Sequence, residues 1–202
     1  MPLFLLDIKN SKKVLDMCAA PGGKTIQLIC NKAEVVSYDK NKNKVSIMKE
    51  NLRRLNFNNG VINKDSLKIN SKNKFDIVII DAPCSSIGTI RRNPEIFYRH
   101  SAPNFQYITS IQYKFLNKAK NLVKNKGIII YMVCSFLNNE GKNQIERFLN
   151  ENKNFSLVKF FSKNRDINEL INEKGFFKTY PINFRNKFLI DGFFAAQLQK
   201  NA

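Results

Sequence analysis

The chain has 202 residues, of which 34 are Lys or Arg and 16 are Asp or Glu, so its formal net charge is +18. This length predicts one compact domain, and no apolar run approaches the roughly 18 residues of a membrane span. We therefore exclude a membrane protein, and, because the N-terminus does not resemble a secretory signal, we expect a cytoplasmic location. The positive charge favours a nucleic acid as partner, although an AT-rich genome would account for part of the lysine excess.

Short apolar runs alternate along the chain with longer amphipathic segments. The apolar runs predict strands at residues 13–17, 35–38, 61–62, 75–80 and 127–133. The amphipathic segments predict helices at residues 24–31, 42–56, 105–124 and 140–152. This order predicts an α/β fold with a doubly wound, mostly parallel sheet. The tail adds terminal strands at residues 188–190 and 193–198, which we expect to form a hairpin about Asp191 and Gly192.

A turn of small residues follows the first predicted strand and opens the first helix, and it consists of Cys18, Ala19, Ala20, Pro21, Gly22, Gly23 and Lys24. Its glycines allow close approach of a ligand, but the turn matches neither a P-loop nor the GxGxxG pattern of dinucleotide sites. Asp39, after the second strand, is placed to bind ribose hydroxyls, and Asp65, after the third, to reach an adenine amine. For any one of these residues alone, a role as a cap or turn residue is the better explanation. Together they predict a site for an adenosine-bearing cofactor without a polyphosphate.

The four cysteines stand singly and far apart, which matches neither a zinc site nor a disulfide framework. Because His100 is the one histidine of the sequence, we expect no metal. Cys84 and Cys134 follow the fourth and fifth predicted strands, at the sheet edge that also carries the cofactor turn. We expect chemistry from these two, whereas Cys30, inside a predicted helix, is expected to be an inert packing residue.

Four motifs occur in order along nearly the whole chain: DMCAAPGGKT at 16–25, DAPCSSIGTIRRNPEI at 81–96, VCS at 133–135 and DGFF at 191–194. In these motifs the chain resembles the Sun family of RNA cytosine-C5 methyltransferases, which use S-adenosylmethionine (SAM). The resemblance implies a Rossmann-like SAM-dependent methyltransferase fold, with SAM held by residues 18–24, Asp39, Asp65 and Asp81. It implies Cys134 as the nucleophile and Cys84 as the residue that assists product release. It also implies an RNA substrate, ribosomal RNA first and transfer RNA second, in which 5-methylcytosine is formed.

The chemistry of this family explains why thiols are needed. Cytosine C5 is too weak a nucleophile to attack a sulfonium methyl group directly, so a thiolate first adds to C6. Basic surroundings favour the thiolate, and we expect them from Lys24, Arg91 and Arg92. Asp81 is expected to contact the N3/N4 edge of the cytosine as well as SAM. Arg91 and Arg92 are expected to hold RNA phosphates beside a flipped base, the alternative being solvated loop arginines.

The chain departs from the family pattern in several places. The family usually continues after the cysteine motif with a Pro and a Glu-Asn pair, whereas residues 136–141 here are FLNNEG, and Asn93 stands where a His is common. Family members generally carry an N-terminal RNA-recognition region, but the first predicted strand here begins at residue 13. We expect a single catalytic domain over 1–202 without that region. It is then a fragment, a minimal enzyme or an enzyme with a separate RNA-recognition partner.

Two other functions remain open at this point. The first is a SAM methyltransferase that acts on another base or on a protein side chain, which would not need a thiol nucleophile at Cys134. The second is a protein that binds SAM and RNA without catalysis. The presence of both cysteines and all the acidic residues argues against such a loss of activity.

Overall fold

The structure is a computed structural model that describes residues 3, 8, 12–70, 72, 74–184 and 188–202. Its strands are β1 (Lys13–Asp16), β2 (Glu34–Asp39), β3 (Val61–Asn63), β4 (Phe75–Asp81), β5 (Val123–Val133), β6 (Phe155–Val158), β7 (Phe177–Thr179), β8 (Ile182–Phe184), β9 (Phe188–Ile190) and β10 (Phe193–Lys200). Its α-helices are α1 (Gly23–Cys30), α2 (Lys42–Arg54), α3 (Phe105–Leu122), α4 (Lys142–Glu151) and α5 (Arg165–Asn168). Short 3-10 turns occupy Ser66–Lys68, Ile87–Thr89 and Pro94–Tyr98.

The main sheet has the strand order β3-β2-β1-β4-β5-β10-β6, and β7 also pairs with β10. Strands β3, β2, β1, β4 and β5 pair in parallel, whereas β10 runs antiparallel to β5, β6 and β7. The strand order reverses direction between β1 and β4, and ligands of such sheets bind at the carboxyl ends beside this point. The predicted α/β class, with a mostly parallel sheet and a terminal antiparallel strand, is confirmed.

The hydrophobic core lies on both faces of the sheet, which explains why the central strands are continuously apolar. Val78 and Ile80 of β4 pack in one cluster with Leu116 of α3 and Phe148 of α4. Ile77 and Ile79, the alternate residues of the same strand, pack on the other face in a cluster that includes Leu28 of α1. Because successive side chains of a strand point to opposite faces, both sets must be apolar to be buried.

The five central strands and the four long helices lie where the sequence predicts them, with differences at their ends. Strand β5 begins at Val123, earlier than predicted. The sequence analysis missed its first residues because residues 124–126 are polar. Its register against β4 shifts between Phe75 and Ile77, which marks a bulge. Helix α4 begins at Lys142 and leaves Glu140 in the preceding turn.

The predicted hairpin about Asp191 and Gly192 is wrong. Strand β9 pairs with β8 in a separate two-stranded sheet, and β10 joins the main sheet beside β5. The two residues therefore link two different sheets, because β9 pairs with the strand just before it and β10 with the distant β5. The sequence analysis also missed β6, β7 and α5, which have three or four residues each. Among the described residues, no helix combines the length and apolar character that a membrane crossing needs.

We expect Ile79→Ala to lower the free energy of unfolding by about 2–5 kcal/mol, because Ile79 is completely buried in the central strand and the truncation leaves a cavity. Ile47→Ala is the matched control, since this isoleucine of α2 is 50% exposed and its removal should change stability by less than about 0.5 kcal/mol. Urea unfolding of both variants measures the difference. Equal effects of the two substitutions would contradict the proposed position of the core.

Candidate active site

A cavity of about 370 Å³ opens where β1, β2, β3 and β4 end, at the predicted edge of the sheet. Asp39, Asp65 and Asp81 line it, each at or just after the end of a strand. The two cysteines singled out from the sequence, Cys84 and Cys134, line the same cavity. The structure thus brings the acidic residues and the cysteines together around one space.

The turn after β1 is fixed to the end of β2 by Asp39. One carboxylate oxygen of Asp39 accepts a hydrogen bond from the Ala20 backbone N–H at 3.1 Å, and the other accepts one from the Asn41 N–H at 2.8 Å. Gly22 then turns the chain into α1 with a φ of 106°, a left-handed conformation that favours glycine. No side chain caps the N-terminus of α1. Of the seven predicted turn residues, Cys18 and Ala20 line the cavity, whereas Gly23 and Lys24 already belong to α1.

The third acidic position is held by a short turn. Asp65 accepts a hydrogen bond from the Leu67 N–H at 3.0 Å and so begins the 3-10 turn Ser66–Lys68. The Ser66 hydroxyl donates to the Met17 carbonyl at 2.7 Å, which ties this turn to the end of β1. The structural role of Asp65 as a cap is therefore compatible with its place in the cavity wall.

A buried carboxylate lies beneath the cavity, and the sequence analysis did not identify it. Asp16 is fully buried and accepts a hydrogen bond from the Thr25 hydroxyl at 2.7 Å. Burial is the main cause that raises the pKa of Asp16 to about 6. Next to it, the ammonium group of Lys24 pairs with the carboxylate of Asp81. Only burial distinguishes Asp16 from an ordinary strand end, and burial is not visible in the sequence.

Cys84 and Cys134 form a close pair of free thiols, with 3.2 Å between their Sγ atoms. The Ser86 hydroxyl lies 3.6 Å from Cys134 Sγ. The hydrogen bond with Cys84 is the main cause that lowers the pKa of Cys134 to about 7, with a further contribution from Ser86 and opposition from burial. The same hydrogen bond and burial raise the pKa of Cys84 far above its ordinary value.

Cys134 is thus the thiol of the pair that ionises more easily, whereas Cys84 stays protonated at neutral pH. Lys24 contributes a smaller lowering of the Cys134 pKa, so the cationic surroundings expected from the sequence are a minor cause. Burial raises the pKa of Cys18 well above its ordinary value, which keeps this third thiol protonated. Cys30 lies at the exposed end of α1, and its predicted role in packing is not supported.

A buried carboxylate, Glu140, positions the loop that carries Cys84. It is completely buried and accepts hydrogen bonds from the Ser85 N–H at 2.8 Å and the Ser85 hydroxyl at 2.5 Å. Gln112 of α3 donates to Glu140 at 3.2 Å and to the Pro83 carbonyl at 3.1 Å. The residues on both sides of Cys84 are thereby fixed. The sequence analysis missed these roles because the partners are far apart along the chain.

The segment after Cys84 packs directly against the segment before β10. The Gly88 N–H donates to the Cys134 carbonyl at 3.1 Å, and the Gly192 N–H donates to the Gly88 carbonyl at 2.7 Å. A Cβ atom on Gly88 would lie 1.9 Å from the Gly192 carbonyl oxygen, so this contact requires glycine. The guanidinium groups of Arg91 and Arg92 both pair with Asp191, at 3.2 and 2.6 Å.

The cavity suits a cofactor of the predicted kind. Each oxygen of Asp39 has one backbone partner and keeps acceptor capacity for ribose hydroxyls. Ala82, Pro83 and Phe115 provide apolar wall for a flat base. Within the described part of the chain, no three His, Cys, Asp or Glu residues are grouped as metal ligands. His100 is exposed and lies outside the cavity.

Comparison with protein families finds a match over residues 3–199 to the family described as 16S rRNA methyltransferase RsmB/F. The chain is 34% identical over 159 residues to the ribosomal RNA small subunit methyltransferase B of Photorhabdus laumondii subsp. laumondii, covering 76% of this chain and 37% of that protein. It is 35% identical over 150 residues to the protein of the same name from Yersinia pseudotuberculosis, covering 72% of this chain and 35% of that protein. The chain thus spans little more than a third of these relatives.

Among solved structures, the chain is similar to NSun6 from Pyrococcus horikoshii, which was determined with SFG. The TM-score is 0.80 at 28% identity, and the match covers 98% of this chain and 50% of that one. The SAM-dependent methyltransferase fold that the motifs implied is confirmed.

We expect alkylation of Cys134 to follow its lowered pKa. The thiolate is the reactive form, so the rate with iodoacetamide should rise about tenfold per pH unit at acidic pH and level off above about pH 8. Mass spectrometry of a Cys30→Ser background measures the rate without the exposed Cys30, and Cys134→Ser is the control. A rate that still rises tenfold between about pH 8 and 9 would contradict the lowered pKa.

Proposed function

Because the chain belongs to the RsmB/F family, the Sun family of SAM-dependent RNA methyltransferases, we propose that it transfers a methyl group to C5 of a cytosine in RNA. The observation that carries this proposal is the pair of free thiols 3.2 Å apart at the wall of the cofactor cavity. A methyltransferase for an amine or a hydroxyl group has no use for such a pair. The family favours small-subunit ribosomal RNA as the substrate, with transfer RNA as the second candidate.

In the proposed reaction, the Cys134 thiolate forms a bond from Sγ to C6 of the cytosine. The electron pair displaced onto C5 makes this carbon nucleophilic enough to take the methyl group. SAM, when bound, supplies this group as an electrophilic methyl on a sulfonium. The C5 proton then passes to solvent, the Sγ–C6 bond breaks, and its electron pair returns to Cys134.

Cys84 assists the last of these steps in our proposal. Its raised pKa keeps the thiol protonated, so it donates a hydrogen bond to Sγ of Cys134 as negative charge returns to that atom. A leaving group that is stabilised in this way departs more easily. The same interaction lowers the pKa of Cys134 before the reaction, so one contact serves both the attack and the release.

The remaining residues bind and orient the two substrates. We assign SAM to Asp39, Asp65, Asp81 and the turn formed by residues 18–24, and we assign Asp81 also to the N3/N4 edge of the cytosine. Asp191 occupies the Nε groups of Arg91 and Arg92, which leaves their terminal N–H groups for RNA phosphates. Arg92 is more than half exposed and is the better placed of the two for a phosphate.

The alternatives left open by the sequence predict different results. A non-catalytic protein that binds SAM and RNA would leave cellular RNA unchanged when its gene is deleted. Bisulfite sequencing of total RNA with and without the gene tests this directly, because 5-methylcytosine resists conversion. A cytosine that becomes convertible in the deletion strain supports the proposed activity and identifies the RNA. A single catalytic domain over residues 1–202, and the use of a separate recognition partner, stay predictions.

We expect Asp39→Ala to weaken SAM binding by roughly 1.5–3 kcal/mol, because a charged acceptor for ribose hydroxyls is lost. Asp76→Ala is the matched control. Like Asp39, Asp76 accepts a backbone hydrogen bond, in this case from the Lys13 N–H. It lies near the start of β4, whereas the cavity lies at the end of this strand. Titration calorimetry measures both variants, and unchanged SAM affinity in a folded Asp39→Ala variant would remove Asp39 from the site.

We expect the two cysteine variants to fail at different steps. Cys134→Ala should abolish methyl transfer and form no covalent complex, with SAM binding intact. Cys84→Ala should still attack and methylate but release poorly, so a protein–RNA complex accumulates on denaturing gels. The complex should disappear in the double variant.

Incubation with a small-subunit ribosomal RNA transcript and radiolabelled SAM provides the assay. A stable complex with Cys134→Ala and none with Cys84→Ala would mean that the roles are reversed. Wild-type turnover in both variants would refute the cysteine mechanism.

A further inference from the structure

We propose that Phe136 and Tyr180, with Lys178, form an aromatic platform on which an unpaired RNA base beside the target cytosine stacks. The platform rests on the proposed function, since it adds a binding site for the same RNA substrate.

The position of the platform is fixed by the contact between Gly88 and Gly192. Phe136 follows the nucleophile Cys134 by two residues, and a Cβ atom on Gly192 would lie 2.6 Å from its ring. The same Gly192 bonds to Gly88, which bonds to the carbonyl of Cys134. The platform is therefore attached to the reacting cysteine through a short and rigid connection.

The two rings contact each other and leave surface for a ligand. Their centroids are 5.8 Å apart with an interplanar angle of 41°, and Tyr180 is 48% exposed. The core pair Phe176 and Phe194 has nearly the same geometry, at 5.2 Å and 45°, but each ring is 2% exposed. Packing alone explains the core pair. The platform pair remains open on the side of Tyr180.

The charge around the platform favours a base of a nucleic acid over an apolar protein surface. The ammonium group of Lys178 lies 5.1 Å from the Tyr180 ring centroid and is held by Asn138 at 3.0 Å. The Thr179 hydroxyl bonds to the carbonyl of Asp191, the residue that pairs with Arg91 and Arg92. One cation, Lys178, thus lies beside the exposed Tyr180 ring, and two more pair with Asp191, which is hydrogen-bonded to the residue before Tyr180. Exposed aromatic rings among cations are the usual means by which proteins bind unpaired bases and the phosphates between them.

The test is the affinity of the whole chain for a single-stranded oligoribonucleotide of about 12 nucleotides with one central cytosine. Fluorescence anisotropy without SAM measures binding independently of catalysis. Tyr180→Ala should weaken binding about 5- to 100-fold, because a stacked base is lost, and Tyr180→Phe should stay within about twofold. Phe161→Ala is the matched control, because Phe161 is 71% exposed and follows β6, which pairs with the opposite end of β10 from β7, and it should change nothing.

A scan of abasic nucleotides along the oligoribonucleotide makes the test specific. An abasic nucleotide at one position beside the cytosine should weaken wild-type binding as much as Tyr180→Ala does. The affinity of the Tyr180→Ala variant should not fall further when this base is removed. The salt dependence of binding should be the same for Tyr180→Ala and the wild type, since no phosphate contact is removed. A misfolded variant would lose salt dependence as well.

Unchanged affinity of Tyr180→Ala, or an equal loss at every abasic position, would overturn the platform and leave the surface to a protein partner. These outcomes are separable from failure of the proposed function. If the abasic position and Tyr180→Ala give non-additive losses but the wild-type chain transfers no methyl group, the platform stands and the proposed methyltransferase activity is refuted. If the chain transfers the methyl group but the two losses are additive, the proposed activity stands and the platform is refuted.

Discussion

The contact between Gly88 and Gly192 is the constraint on which the site depends. It brings together three segments that are distant along the chain: the loop after Cys84, the end of the strand before Cys134, and the turn before β10. One backbone hydrogen bond joins Gly192 to Gly88, and a second joins Gly88 to the Cys134 carbonyl. Only glycine fits at position 88. A backbone-to-backbone contact at this distance holds the two cysteines more rigidly than side chains would. The antiparallel strand β10 therefore belongs to the site as much as to the sheet.

Two identical side chains acquire different protonation states in this arrangement. Burial raises the pKa of any thiol, and it is the main cause of the raised pKa of Cys18. In the pair, the proton that Cys84 keeps stabilises the charge of Cys134 and outweighs the effect of burial there, whereas at Cys84 the same hydrogen bond and burial both raise the pKa. Glu140 fixes the residue next to Cys84 and keeps the donor in place. Nearby cations alone would lower the pKa of both thiols and would not distinguish them.

The sequence predicts the central sheet well because its strands are buried on both faces and need continuous apolar runs. The carboxyl ends of parallel strands share one edge, so Asp39, Asp65, Asp81 and both cysteines are also predictable as neighbours. Glu140 and Gln112 are not predictable in this way, because their partners depend on the packing of α3 against the loop. The hairpin about Asp191 failed for a related reason. The short strand β9 pairs with the strand before it, β8, while β10 is taken up by β5, and the sequence does not specify this choice of partners.

The distribution of charge offers separate places to SAM and to the proposed RNA substrate. The chain carries +18 overall, and its cofactor cavity gathers the carboxylates of Asp39, Asp65 and Asp81 together with Lys40 and Lys44. SAM bears a positive sulfonium, for which these carboxylates are suitable partners, whereas RNA bears a negative charge on every phosphate. The cations that surround Asp191 and the loop after Cys134 suit the second ligand and not the first. The cysteine pair lies where these two regions meet, and a C5 methyl transfer requires the cofactor and the flipped base to meet at that point.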